Sequence, residues 1–236
     1  MESRRVVLFD MDGTLVDTRQ DIADAANGAR RELGLAPMEL EEVVRAVGDG
    51  INAFVSRISF PSSDPRFEGA KKIFVRHYDA HTLGVSQPYP GIDSLLLRLH
   101  EQKDVMMAVV SNKPSALVNK LVSHFNWDRY FPVTLGGDSA PTPKPSRDLI
   151  DLAMVKLGFD SLSQWPKVWM VGDSLQDLDA AVNASVHGAS VHGVWCSWGF
   201  MEKTPERSHQ FTTIRHPSDL FNLLHREHSH QKVPGV

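Results

Sequence analysis

Val6-Val7-Leu8-Phe9 is apolar at every position and stops on Asp10-Met11-Asp12-Gly13-Thr14. A strand with one wet face alternates apolar and polar residues. An unbroken short run instead suits a strand buried on both faces, as in a parallel sheet. Val105–Val110 and Val168–Val171 have the same character, and Phe131–Leu135 and Ala189–Trp195 read as two more strands. Between them apolar residues recur at helical spacing over Ile92–Glu101, Pro114–Phe125, Arg147–Leu157 and Leu175–Ala184. Strands alternating with helices predict an α/β fold around a parallel sheet.

Residues 19–87 break this alternation. Ile22, Ala25, Ala26 and Ala29 fall on one helical face, and Thr18 with Asp21 makes an N-terminal capping signature. Glu39–Val47 and Lys71–His81 also read as helices, Pro61-Ser62-Ser63-Asp64-Pro65 as a loop, and Gly48 and Gly50 as turn glycines. No strand is expected here. The expected division is a core of residues 1–18 and 88–236 with an all-helical insertion at 19–87, hinged near Asp17–Thr18 and Ser86–Pro90.

A chain of 236 residues exceeds the common domain size of about 100–150 residues, which leaves room for such an insertion. The net charge of −4, without blocks of like charge, argues against nucleic-acid binding, which needs a basic face. The lone Cys196 cannot form an internal disulfide, in keeping with a reducing compartment. No apolar stretch nears the ~20 residues of a membrane span, and the N-terminal apolar run is too short for a signal peptide. A cytoplasmic location away from membranes is therefore expected. The tail His225-Arg226-Glu227-His228-Ser229-His230-Gln231-Lys232 reads as a frayed terminus, with metal binding by its histidines as the other reading.

Asp10 and Asp12, two residues apart in extended chain, point to one side. Adjacent carboxylates repel unless a metal, a proton or a cation stands between them. In open parallel sheets, ligands bind beyond the carboxyl ends of the strands. Asp10–Thr14, Ser111-Asn112-Lys113-Pro114 and Gly172-Asp173-Ser174-Leu175-Gln176-Asp177 should converge there, joined by Lys144 from the loop Pro143-Lys144-Pro145. Carboxylates, a hydroxyl, helix-start N–H groups and a cation suit a hard oxygen-ligated metal and a phosphate.

These segments resemble the four signatures of the haloacid dehalogenase superfamily, in order: DxDGT at Asp10–Thr14, a strand-ending Ser111, Lys144, and GDxxxD at Gly172–Asp177. Val47-Gly48-Asp49-Gly50, Tyr89-Pro90-Gly91, Ser111-Asn112-Lys113-Pro114 and Gly136-Gly137-Asp138-Ser139 are similar to the phosphoglycolate phosphatase group within it. The resemblance implies a Rossmann-like core, a helical cap between the first two signatures, and Mg²⁺-dependent hydrolysis of a small phosphorylated metabolite. It assigns Asp10 as nucleophile and Asp12 as acid and base. Ser111, Asn112 and Lys144 would hold phosphate. Asp10, Asp173 and the Asp12 carbonyl would hold the metal, with Asp177 ordering its surroundings.

Other readings of single residues stay open. Asp177 also reads as a first-turn helix acid, Ser111 as an N-cap, Lys144 as a solvated loop lysine, and Asp17 as a hinge marker. Lys113 divides evenly between site and surface. Arg45, ahead of the Val47–Gly50 turn, is a candidate reader of a substrate carboxylate, or a plain surface residue. Trp195, Trp198 and Phe200 read first as packing residues. Lys144-Pro145-Ser146-Arg147 departs from the family's KPxP, leaving Arg147 either near the site or at a helix start. A phosphosugar mutase and a pyrophosphatase are competing activities, and a silent interaction module would have lost a site carboxylate. Asp12 argues against carbon–halogen cleavage, because a leaving halide needs no proton.

Overall fold

The computed structural model describes residues 4–81, 83–185, 188–201 and 211–229. Its centre is a six-stranded sheet, ordered β5-β4-β1-β6-β7-β8, from β1 (Arg5–Phe9), β4 (Val105–Val110), β5 (Val133–Leu135), β6 (Lys167–Gly172), β7 (Val191–Cys196) and β8 (Phe211–Ile214). Every pairing in it is parallel. The apolar runs explain this directly. Val7 and Phe9 enter one core cluster, Val6 and Leu8 the other, so β1 is buried on both faces. Trp169 and Val171 against Val168 and Met170 repeat the pattern in β6. Helices α5 (Ile92–His100), α6 (Ser115–His124) and α9 (Pro217–Ser229) cover the first face, and α7 (Asp148–Lys156) and α8 (Leu175–Ser185) the second.

The remaining helices, α1 (Arg19–Glu32), α2 (Leu40–Ala46), α3 (Ile51–Ile58) and α4 (Phe67–His81), share a third apolar cluster with Leu117 of α6. The chain reaches and leaves them through a short antiparallel ribbon, β2 (Val16–Asp17) with β3 (Gln87–Pro88). The Asp21 carboxylate clasps the return segment, accepting from the Val85 and Ser86 N–H groups at 2.9 and 3.0 Å and from the Ser86 hydroxyl at 2.6 Å.

Several expectations need correction. Asp21 serves that clasp rather than a capping signature, and Thr18, though at the N-cap, makes no side-chain cap bond. The segment expected to hold no strand ends in β3, a two-residue strand too short to show a period. Helix α3 and strand β8 lie outside the sequence expectation. Strand β5 starts at Val133 rather than Phe131, because Pro132 has no N–H for the ladder and Phe131 packs into the core. Helix α9 runs to Ser229, so residues 225–229 of the tail are helical rather than frayed; the rest of the tail lies outside the described residues. Among the described residues no helix is long and apolar enough to cross a membrane.

Candidate active site

The strands β1, β4 and β6 stop side by side, and their C-terminal ends deliver Asp10, Ser111 and Asp173 to one spot. Asp10 is anchored by its N–H to the Val171 carbonyl at 2.9 Å. The chain then turns sharply, with Gly13 at a φ of +80°. A Cβ there would sit 2.2 Å from an Asp173 carboxylate oxygen, so both conformation and space demand glycine.

Asp10, Asp173 and Asp177 each bring one carboxylate oxygen to within 4.8 Å of the others, and all three are buried. The Lys144 ammonium, 2 % exposed, sits among them at 2.8 Å from Asp10, 2.6 Å from Asp177 and 2.6 Å from the Val110 carbonyl. Burial opposes its charge, but the attraction of Asp10 and Asp177 outweighs that and raises its pKa. Burial, then repulsion by Asp10 and Asp177, holds the Asp173 carboxyl well above the usual carboxylate range. With all three carboxylates ionised, one ammonium would leave two negative charges without a counter-charge. An all-oxygen cluster with that deficit fits a hard divalent cation such as Mg²⁺. Asp173 is available for it: its carboxylate accepts only from the Thr14 hydroxyl at 3.1 Å and the Phe200 N–H at 2.7 Å, and has no cationic partner among the described residues.

Asp12 occupies a different setting. Its carboxylate accepts from the Thr18 hydroxyl at 2.7 Å and from the Lys113 ammonium at 2.9 and 3.0 Å. That ammonium also contacts the Tyr78 hydroxyl from α4. Asp12 therefore faces the cavity beside the carboxylate cluster, outside it, and is tied to helix α4 through Lys113.

The other expected residues assemble unevenly. Ser111 is 2 % exposed and lines the cavity next to Asp10, where its hydroxyl oxygen accepts from the Lys113 N–H at 3.3 Å. The Asn112 side chain binds the Lys144 backbone twice, at 2.8 Å each, and donates to the Gly48 carbonyl at 2.9 Å. Asp177 lies in the cluster itself, with its carboxylate 2.6 Å from the Lys144 ammonium. Arg45 is exposed and lines the same cavity. Arg147 pairs with Asp151 at 2.7 and 2.8 Å as α7 begins, away from the cavity lining. Asp17 pairs with Arg19 where β2 leads into α1. Thr14 and Gln176 lie in turns expected to converge, though without roles of their own; Thr18 reads in the sequence only as a cap, and Tyr78 and the Phe200 N–H were not foreseen, because they reach the site from segments far away in the chain.

The family model described as "Haloacid dehalogenase-like hydrolase" matches residues 7–191, a span that includes every one of these carboxylates. The chain belongs to the haloacid dehalogenase-like hydrolase family. Among its relatives within that family, a phosphoglycolate phosphatase of Aquifex aeolicus is 33 % identical over 93 % of this chain and 96 % of its own. An N-acetylmuramic acid 6-phosphate phosphatase of Pseudomonas aeruginosa is 29 % identical over 94 % and 95 %. A crystal structure of a predicted phosphoglycolate phosphatase from Haemophilus somnus superposes with a TM-score of 0.81 at 25 % identity, covering 95 % of this chain and 99 % of that one. The haloacid dehalogenase-like chain is accordingly an enzyme, a phosphatase acting on phosphate monoesters, resembling phosphoglycolate phosphatases.

Proposed function

We propose that this phosphatase is Mg²⁺-dependent, forms an aspartyl-phosphate on Asp10, and hydrolyses a small phosphorylated metabolite under a cap made by residues 19–87. The observation that carries the reading is the contrast between the two aspartates at the strand end. Asp10 lies in the cation-seeking cluster with Lys144, whereas Asp12 lies beside it in its own hydrogen-bonded setting. Two carboxylates with different surroundings can take different roles.

An Asp10 oxygen attacks phosphorus as the ester P–O bond breaks, and Asp12 gives the leaving oxygen its proton. In the second half Asp12 takes a proton from water. The water oxygen attacks phosphorus, the bond to Asp10 breaks, and the Asp10 carboxylate returns with free phosphate. Lys144 neutralises developing charge at the phosphoryl oxygens, and Ser111 and the Asn112 N–H hold them. Lys113 and Thr18 fix the Asp12 carboxylate in one orientation. Mg²⁺, when bound by the Asp10 and Asp173 carboxylates and the Asp12 carbonyl, supplies further neutralisation, with Asp177 bordering it.

Phosphate release from a panel including p-nitrophenyl phosphate, 2-phosphoglycolate and N-acetylmuramic acid 6-phosphate tests the activity; no turnover of any member refutes it. EDTA should abolish turnover, and added Mg²⁺ should restore it. Full activity in a thoroughly metal-free sample counts against the metal. Asp173→Ala should raise the Mg²⁺ needed for half-maximal rate more than Asp177→Ala, because Lys144 already offsets Asp177.

Arg45 is the proposed reader of a substrate carboxylate, from its place on the cavity wall. Arg45→Ala should lower kcat/KM for 2-phosphoglycolate on the order of 10-fold, the worth of one charge-assisted hydrogen bond. p-Nitrophenyl phosphate, which lacks the carboxylate, should be affected less. Equal losses on both would eliminate Arg45 as the reader.

A further inference from the structure

We infer that the preferred substrate carries an apolar body larger than a two-carbon acid, seated against the wall that α2 and α3 present to the site; this rests on the phosphatase reading above. The cavity beside Asp10 measures about 830 Å³. That is near the top of the roughly 300–1,000 Å³ of pockets that enclose drug-sized ligands. Phosphoglycolate places a single methylene between its phosphate oxygen and its carboxylate, and would leave most of this space to water.

The volume does not come from helices swung away from the sheet. The turn between α2 and α3 is already docked: Asn112 donates to the Gly48 carbonyl at 2.9 Å, and the Gln176 amide reaches Asp49. Helix α4 is docked too, through Tyr78 to Lys113 and through Asp79 to Lys120 at 2.9 Å. The cavity remains with these contacts made.

The side of the cavity formed by α2, α3 and their turn combines aliphatic side chains with the charged Glu41, Arg45, Asp49 and Arg57. Leu40, Val44, Val47 and Ile51 line it half-buried, and Phe200 faces in from the loop after β7. Most charged groups on the lining are in ion pairs: Arg19 with Asp17, Arg57 with Asp49, Lys113 with Asp12 and Lys144 with Asp10, while Glu41 has no ion-pair partner among the described residues. Arg45 has no carboxylate partner among the described residues. Hydroxyls of a polyol body set against Leu40, Val44, Val47 and Ile51 would meet carbon, which is costly once water is excluded. An apolar body gains by covering the same wall.

A series of straight-chain acids phosphorylated on the terminal hydroxyl, from 2-phosphoglycolate to the six-carbon member, tests this, with glucose 6-phosphate as the polyol. kcat/KM should rise about fourfold per added methylene over the first members, and the six-carbon acid should exceed glucose 6-phosphate. Val44→Asn should reduce the six-carbon to two-carbon ratio about tenfold, whereas Val44→Leu, which keeps the wall apolar, should not reduce it. A maximum at phosphoglycolate, a preference for glucose 6-phosphate, or a ratio indifferent to Val44→Asn would overturn the inference. Calorimetric Kd values on Asp10→Asn separate the two claims. If no ester is turned over by the wild type yet binding tightens with chain length, the phosphatase reading fails and the apolar wall stands. If esters are turned over and neither Kd nor kcat/KM follows chain length, the reverse holds.

Discussion

Asp10→Asn should leave a folded protein whose phosphatase turnover is reduced on the order of 10⁴-fold or more, the scale seen when a covalent nucleophile is removed. Asparagine has the size of aspartate and keeps one oxygen to accept the Lys144 hydrogen bond now made at 2.8 Å. Lys144 also retains Asp177 and the Val110 carbonyl, so the local structure is held from two other directions. What disappears is the charge that attacks phosphorus. The check is phosphate release by purified variant and wild type, with mass spectrometry of acid-quenched wild type to place the phosphoryl group. Label on Asp12, or substantial turnover by a clean Asp10→Asn sample, would sink the assignment.

The other large effect expected is on stability as well as rate. Lys144→Met replaces the ammonium by a chain of similar length and strands Asp10 and Asp177, beside Asp173, in a buried cluster without their cation. Removing one partner of a buried ion pair costs about 3–5 kcal/mol, because the remaining charge keeps its desolvation penalty. Urea unfolding in EDTA should show a loss of that size. Turnover should fall by at least ~10²-fold through loss of charge stabilisation at the phosphoryl group. Mg²⁺ should raise the Tm of Lys144→Met more than that of the wild type, since it restores positive charge to the same carboxylate cluster. A variant with wild-type stability and an unchanged response to Mg²⁺ would show that the cluster does not depend on Lys144.

The convergence of these groups at the sheet edge was legible because it is written in local units. Val6–Phe9, Val105–Val110 and Val168–Val171 are apolar without alternation, which requires burial on both faces and so a parallel sheet. Parallel strands place their C-terminal ends on one edge, so the turns after them had to converge, and Asp10, Ser111 and Asp173 do. Helices α5 to α8 were readable for the same reason, since their apolar period extends over whole turns. Where the local signal was short, it failed. Two-residue strands such as β2 and β3 have no period to read, and the clasp of Asp21 on Ser86 joins residues far apart in the chain.

The sequence by itself determined five of the six strands of the sheet and the set of groups brought to its edge, because residue type and short-range period decide burial and strand direction. Only the tertiary structure decided how those groups are shared out. Lys144 goes to Asp10 and Asp177, while Lys113, which the sequence left evenly balanced, goes to Asp12 and Tyr78. The apolar wall from α2 and α3 belongs to the same level. Leu40, Val44 and Ile51 line the cavity in a structure where Gly48 and Asp49 bond to Asn112 and Gln176. Such pairings are set by the packing of segments distant in the chain, and no local pattern carries them.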